Sequence, residues 1–134
     1  MIWLFFSLIV TIVAIDLITK FSIDGILNPG IAWGWGAQLD WLWIVIVVFS
    51  FVLVVGLICW FFCSKRRTWL RTTGLGILIG GVLGNAIDRL ISGGAVHDFI
   101  DFVIFKNNLA DIALTVGAIL IMLSLIVEEI RAPR

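Results

Sequence analysis

Charged residues are scarce in this chain. Lys and Arg number nine and Asp and Glu nine among 134 residues, so charged side chains make up 13% and the net charge is zero. A soluble domain of this length needs a charged surface, and this composition excludes such a surface. The zero net charge also argues against a nucleic-acid partner, because proteins that bind nucleic acids carry basic patches.

Cysteine and histidine are also rare. The two cysteines, Cys59 and Cys63, lie one helical turn apart, and the single histidine is His97. Two thiols with no histidine or acid nearby in sequence do not form a zinc site, and they imply no disulfide framework. We therefore expect no metal and no organic cofactor, and we expect His97 to be a solvated loop residue.

Apolar runs, in contrast, dominate the sequence. Hydrophobic residues make up 62% of the chain, and the mean hydropathy is +1.20. The uncharged run Trp41–Cys63 is long enough to cross a bilayer as a helix. With three further runs, the predicted spans cover residues 2–19, 41–63, 72–91 and 109–127. The sequence thus predicts an all-α integral membrane protein, with one membrane domain over residues 1–134.

The distribution of basic residues predicts the orientation of these spans. Four basic residues and no acid lie between the second and third spans: Lys65, Arg66, Arg67 and Arg71. Since loops rich in Lys and Arg stay in the cytoplasm, we expect this loop and both termini there. The loops 20–40 and 92–107 then face outward.

The first outer loop combines a turn with an alternating segment. Asn28, Pro29 and Gly30 have the composition of a β-turn. Tryptophans alternate with small residues in Ile31–Gly36, which predicts an extended stretch that another backbone can approach closely. A re-entrant or interfacial loop is an equally good interpretation of this segment.

Asp16 and Lys20 end the first span with a spacing of four residues. This spacing predicts an ion pair within the helix at the outer interface. The long Lys20 side chain can also extend toward the headgroups. We expect a structural or orienting role for both residues.

Two further aspartates lie inside the last two spans, each about one helical turn from the outer face. Asp88 follows Asn85 by three residues, and Asp111 follows Asn108 by three. Carboxylates inside a membrane are costly and usually mark a functional site. Antiparallel neighbouring spans would hold the two acids at matching depth, so the pattern predicts a catalytic pair oriented by asparagine amides.

Two other interpretations are compatible with the same residues. Asp88 could form an inert ion pair with Arg89 or Lys106 in a structural membrane protein. Paired acids in a membrane also serve as proton relays in small channels and transporters. A position near one face rather than at the midplane favours a catalytic pair over a proton relay.

Five blocks of residues, in order, closely resemble the lipoprotein signal peptidase family, also called signal peptidase II. They are Asp16-x-x-Thr19-Lys20, Asn28-x-Gly30-x-Ala32-Trp33-Gly34, Gly84-Asn85-x-x-Asp88-Arg89, Val96-x-Asp98-Phe99 and Asn108-x-Ala110-Asp111. Each block alone is a weak signal, but the five together extend over almost the whole chain. Three positions depart from the family pattern: Leu17 replaces a common Gln, Asn107 a common Phe, and His97 an aliphatic residue.

The resemblance implies an aspartic peptidase of the bacterial cytoplasmic (inner) membrane. It has four transmembrane helices and a small extracytoplasmic extended loop segment. The implied substrates are prolipoproteins with a diacylglyceryl-modified cysteine, cut on the N-terminal side of that cysteine. Sensitivity to the cyclic peptide globomycin is also implied, and we expect a monomer that contacts membrane lipids.

The resemblance also assigns roles to individual residues. The catalytic pair of the family maps onto Asp88 and Asp111. The other motif residues carry over as supporting or substrate-positioning groups: Asp16, Lys20, Asn28, Gly30, Asn85, Arg89, Asp98, Asn108 and Ala110.

Overall fold

The computed structural model describes residues 1–30, 36, 38–102 and 106–131. Four long helices carry short strands at one end of the bundle, here called the strand end. The helices are α1 (Ile2–Ser22), α2 (Leu42–Cys63), α3 (Trp69–Ile91) and α4 (Leu109–Ile130). The strands are β1 (Ile26–Asn28), β2 (Val96–Asp98), β3 (Ile100–Asp101) and β4 (Lys106–Asn107).

Each helix is long and apolar enough to cross a membrane, which confirms the predicted four-helix membrane fold. Helices α1, α3 and α4 extend three residues beyond the predicted apolar runs, whereas α2 begins one residue later than predicted. Helix α3 begins at Trp69 rather than at residue 72, because the Thr68 side chain caps it by accepting a hydrogen bond from Arg71 N. Hydrophobicity thus locates the spans, and capping sets this helix start.

Helix α3 is the central helix of the bundle. More than half of it is buried, against less than a third of each other helix, and it packs against α1, α2 and α4. A Cβ on Gly81 would lie 2.6 Å from the Ala110 carbonyl oxygen, and one on Gly80 would lie 2.7 Å from Ile12 Cβ. The glycines of α3 therefore permit tight contacts with the neighbouring helices.

An apolar core fills the half of the bundle away from the strands. The rings of Phe5 and Phe61 stack with centroids 4.0 Å apart, and Leu75 and Ile79 of α3 are fully buried beside them. This apolar half contrasts with the strand end, where most of the buried polar side chains lie.

The strands pair in two short antiparallel ladders. Strand β1 pairs with β2, with Leu27 opposite His97 and Ile26 opposite Asp98. Strand β3 pairs with β4 through Ile100–Asn107 and Asp101–Lys106. An extended segment is therefore present between α1 and α2, at Ile26–Asn28. The predicted segment Ile31–Gly36 lies, except for Gly36, outside the described residues.

Candidate active site

The first turn of α4 is held by side chains from two directions. Asn108 caps the helix, because its Oδ1 accepts a hydrogen bond of 3.0 Å from the Asp111 backbone N–H. The neighbouring N–H of Ala110 donates to Asp16 Oδ1 of α1 over 2.8 Å. These two bonds satisfy orphan donors of the helix start and fix the position of Asp111.

Asn85 of α3 connects Asp111 to a buried lysine. Its Nδ2 donates to Asp111 Oδ1 over 2.8 Å, and its Oδ1 accepts from Lys20 Nζ over 2.8 Å. An asparagine amide has one donor group and one acceptor, and both are used here. The Asp111 carboxyl is therefore oriented by an amide from the facing helix.

Asp98, at the end of β2, is buried with 3% of its surface exposed. Its Oδ1 accepts from Asn108 Nδ2 over 2.7 Å, and its Oδ2 accepts from Asn28 Nδ2 over 3.1 Å. Asn108 therefore connects the Asp98 side chain to the Asp111 backbone. The carboxyls of Asp98 and Asp111 also lie close enough to interact electrostatically.

A cavity of about 510 Å³ opens beside these groups. Of the described residues, Asp98 and Asp111 are the acids that line it. Its polar lining also includes Asn28, Gly30, Asn85, Arg89, Lys106, Asn107 and Asn108. Apolar side chains of three helices complete the wall: Ile46, Leu53, Val82 and Leu114. The cavity thus combines two carboxyls and several amides with an apolar wall.

Asp88 lies in a different environment, fully buried at the end of α3. Its Oδ2 accepts from the His97 backbone N–H over 2.8 Å and lies 3.4 Å from Lys20 Nζ. Its Oδ1 contacts His97 Nδ1 at 2.8 Å and accepts from Ser92 Oγ at 3.1 Å. The described partners of Asp88 therefore occupy both of its carboxylate oxygens, and none of these partners lines the cavity.

This geometry bears on the predicted pairing of Asp88 with Asp111. Asp88 is linked to Asp111 through Lys20 and Asn85, whereas Asp98 and Asp111 line the same cavity. The cavity therefore favours Asp98 as the partner of Asp111. The sequence signal for Asp98 was strand alternation in β2, which directs Asp98 and His97 to opposite faces.

The predicted contacts of Asp16 and Lys20 are partly confirmed. Lys20 Nζ lies 2.8 Å from Asp16 Oδ2, so the ion pair within α1 is present. Lys20 is 2% exposed, and its ammonium contacts Asn85 and Asp88 instead of extending to headgroups. Lys20 therefore does not take the alternative position toward the headgroups, because oxygens of Asp16, Asn85 and Asp88 hold its ammonium inside the bundle.

Arg89 connects α3 to the loop after β1. Its Nη2 donates to the Gly30 carbonyl over 3.1 Å, and its Nη1 donates to the Asn85 carbonyl over 3.4 Å. Arg89 also lines the cavity together with Gly30. The ion pair described for Asp88 is with Lys20, so Asp88 is not the inert Arg89 or Lys106 partner of the structural interpretation.

The expectation that His97 is a solvated loop residue is wrong. The ring contacts the buried Asp88 carboxylate, and 24% of the side chain is exposed. Asp98, the next residue, is buried and accepts hydrogen bonds from two asparagines. Pairing between β2 and β1 explains both results, because it draws this loop against α3. Among the described residues, no three His, Cys, Asp or Glu side chains form a metal-binding group.

Comparisons with known families agree with the motif resemblance. A model of the family described as Signal peptidase (SPase) II matches residues 3–127. A lipoprotein signal peptidase of Desulfitobacterium hafniense (strain Y51) is 37% identical over 111 residues, covering 81% of this chain and 71% of the relative. One of Lactiplantibacillus plantarum is 32% identical over 150 aligned positions, covering 95% and 97%.

Solved structures of similar shape are bacterial membrane enzymes. One, determined by the in meso method at 2.3 Å resolution, matches with a TM-score of 0.82 and 25% identity, covering 96% of this chain and 91% of that one. A second, at 1.9 Å resolution, matches with a TM-score of 0.75 and 27% identity, covering 89% and 90%. The predicted membrane fold is thus that of known membrane enzymes.

Proposed function

This chain belongs to the signal peptidase II family and is an aspartic peptidase of the bacterial membrane; on that premise we propose its substrate, reacting groups and orientation. The substrate is a prolipoprotein whose cysteine carries a diacylglyceryl group. The enzyme cuts on the N-terminal side of that cysteine and releases the signal peptide. The observation that carries this proposal is one cavity lined by two carboxyls and an apolar wall.

The reacting carboxyls are those of Asp98 and Asp111. Both line the cavity, and neutral amides hold both: Asn28 and Asn108 at Asp98, Asn85 at Asp111. An amide donor orients a carboxyl without neutralising it as a cation would. Each acid is therefore held in place yet remains free to exchange a proton.

Two neighbouring carboxyls that share one proton can divide the chemistry of peptide hydrolysis. The ionised carboxyl takes a proton from a water molecule as the water attacks the scissile carbonyl carbon. The protonated carboxyl donates to the carbonyl oxygen, which develops negative charge in the tetrahedral intermediate. The carboxyl that took the proton from water then donates it to the leaving amine as the C–N bond breaks.

The remaining lining residues fit a lipid-modified peptide. Ile46, Leu53, Val82 and Leu114 provide an apolar wall between α2, α3 and α4, which suits acyl chains or the apolar part of a signal peptide. Asn28, Gly30 and Arg89 lie at the polar side, with Arg89 holding the Gly30 carbonyl. These groups position the peptide backbone beside the two acids.

The strand end faces the extracytoplasmic side of the inner membrane, with both termini in the cytoplasm. Support comes from the basic residues between α2 and α3, which favour the cytoplasm. The enzyme acts as a monomer among membrane lipids, and globomycin inhibits it. The orientation of the strand end is tested by labelling a cysteine placed at Arg66, in a background without Cys59 and Cys63. We expect a membrane-impermeant reagent to reach this cysteine from the cytoplasm. Labelling from outside contradicts the proposed orientation.

A cleavage assay tests the function directly. Purified protein in liposomes is given one prolipoprotein with and without the diacylglyceryl group, and mass spectrometry locates the cut. We expect cleavage before the lipidated cysteine and little cleavage of the unmodified form. Cleavage at another bond, or equal cleavage of both forms, contradicts the proposed specificity.

Substitution of the two acids tests their role. Asp98→Asn and Asp111→Asn keep the side-chain size but remove the titratable proton, so turnover should fall by about 10²–10⁴-fold or more. Asp101→Asn is the matched control, since Asp101 lies in the same region and is largely exposed. Thermal unfolding of each variant shows whether the fold is kept. Near-normal turnover of either cavity variant contradicts the pair.

Asp88→Asn distinguishes the two possible partners of Asp111. If Asp88 supports the fold through Lys20, Ser92 and His97, its loss should lower stability and reduce turnover without abolishing it. Background turnover in a stably folded Asp88→Asn protein, together with an active Asp98→Asn protein, would indicate that Asp88 and not Asp98 is the catalytic partner of Asp111.

A further inference from the structure

His97 holds the Asp88 carboxylate with two groups of one residue. The backbone N–H donates to Oδ2 over 2.8 Å, and ring Nδ1 contacts Oδ1 at 2.8 Å. Asp88 is fully buried at the end of α3, and Lys20 fixes the same carboxylate from α1. Strand β2 is therefore attached to the buried Asp88 carboxylate, which also connects α3 to α1.

The next residue along β2 is Asp98. Successive side chains of a strand face opposite sides, so His97 contacts Asp88 of α3 while Asp98 lines the cavity. The distance between the two Cα atoms is fixed by the peptide bond. A shift of β2 away from α3 would therefore move the Asp98 carboxyl relative to Asp111.

The geometry excludes a nucleophilic triad of Ser92, His97 and Asp88. A relay needs the acid on one ring nitrogen and the hydroxyl on the other. Here Ser92 Oγ and Asp88 Oδ1 both lie near Nδ1, at 3.4 Å and 2.8 Å. Ser92 also donates to Asp88 itself. The cluster is therefore suited to holding β2, and not to attacking a substrate.

From these contacts, we infer that His97 is a positioning residue for the peptidase reaction, whose Nδ1–H bond to Asp88 places Asp98 against Asp111. The inference rests on the proposed role of Asp98 and adds a residue to it. Because an ionised carboxylate only accepts hydrogen bonds, Nδ1 is the ring nitrogen that carries the proton. The ring also lies 5.6 Å from the Phe21 ring of α1, which limits its orientations.

Two substitutions separate the hydrogen bond from simple packing. His97→Val removes the Nδ1 donor and leaves the backbone N–H. His97→Asn keeps a donor near the position of Nδ1. Since hydrogen bonds to charged groups are among the stronger ones in proteins, we expect His97→Val to lower kcat by about tenfold or more with little change in KM. His97→Asn should recover most of that loss. Leu27→Ala, at the strand partner of His97, is the control and should retain wild-type kcat.

Several outcomes overturn this inference. One is wild-type kcat in His97→Val, and another is equal impairment of the Val and Asn variants, which would indicate packing alone. If Asp98→Asn is fully active, the proposed catalytic pair fails. If only the His97 variants are unaffected, the positioning role alone fails.

A spectroscopic measurement tests the bond without substitution. His97 is the single histidine of the chain, so ¹⁵N-labelled histidine reports this ring alone. We expect the proton on Nδ1. A neutral ring protonated only at Nε2 contradicts the bond to Asp88.

Discussion

A buried polar cluster lies at each end of the helix bundle, and the two clusters balance their charges differently. At the end away from the strands, Arg71 pairs with Glu128, and Ser124 Oγ donates to Glu128 Oε1 over 2.9 Å. At the strand end, Asp16 and Asp88 share Lys20. Asp98 and Asp111, by contrast, are held by asparagine amides.

This difference separates a structural cluster from the cluster that we propose to be reactive. The Arg71–Glu128 pair matches one cation with one anion, and such a closed pair chiefly joins helices. At the strand end, the single Lys20 ammonium contacts two acids, Asp16 and Asp88, which connect α1, α3 and α4. Amides orient the two acids that line the cavity. Both clusters contain buried charge, so buried charge alone does not distinguish them; the proposed site rests on carboxyls held by neutral donors beside a cavity.

The largest effect is expected at the cation of the strand end. Lys20→Met leaves Asp16 and Asp88 buried without their shared ammonium, and breaking a buried ion pair costs about 3–5 kcal/mol. We expect strong destabilisation in thermal unfolding and loss of turnover. Lys65→Met, at an exposed lysine, is the matched control. A Lys20→Met protein as stable as wild type would contradict the described role of this cluster.

A smaller and more selective effect is expected at the opposite end. Arg71→Met leaves Glu128 without its partner, and we expect a loss of stability of about 3 kcal/mol. Because this cluster lies at the far end of α3 from the cavity, kcat of the folded enzyme should stay at the wild-type value. A large fall in kcat at unchanged stability would show that the two ends are not separate in function.

The smallest effect is expected from one added methyl group. A Cβ on Gly84 would lie 2.5 Å from Asp16 Oδ2, so Gly84→Ala should displace the Asp16 side chain and cost about 1–3 kcal/mol. Gly56→Ala is the matched control, because among the described residues no atom beyond the adjacent turns of α2 lies within 4 Å of the Cβ it would add. Equal melting temperatures for the two variants would contradict the close contact between α1 and α3.

The sequence predicts the helices well and the polar contacts less well. Apolar length is enough to locate four spans, because a bilayer requires about 20 apolar residues per helix. The strands β1 and β2 are short, and β-pairing between residues about 70 positions apart leaves no local signal. The position of Asp98 depends on that pairing, which explains why it was predicted as a supporting residue only.

The asparagines show the same difference between helix positions, which the sequence predicts well, and polar contacts, which it predicts less well. The repeated Asn-x-x-Asp spacing predicts that each amide orients the acid three residues later. Instead, Asn85 donates to Asp111 of the other helix, and Asn108 donates to Asp98 of β2. Spacing identifies residues on one helix face. Which acid each amide meets is decided by how α3 and α4 pack.

The central claim is that Asp98 and Asp111 together act on the scissile bond. The most direct measurement is a crystal structure with a peptide in which a hydroxyl-bearing tetrahedral carbon replaces the scissile carbonyl, since such mimics of the transition state bind the reacting groups. We expect the hydroxyl to lie within hydrogen-bond distance of both Asp98 and Asp111. A hydroxyl bound by Asp88 and Asp111, with Asp98 turned away from it, would show that Asp98 is not a reacting group.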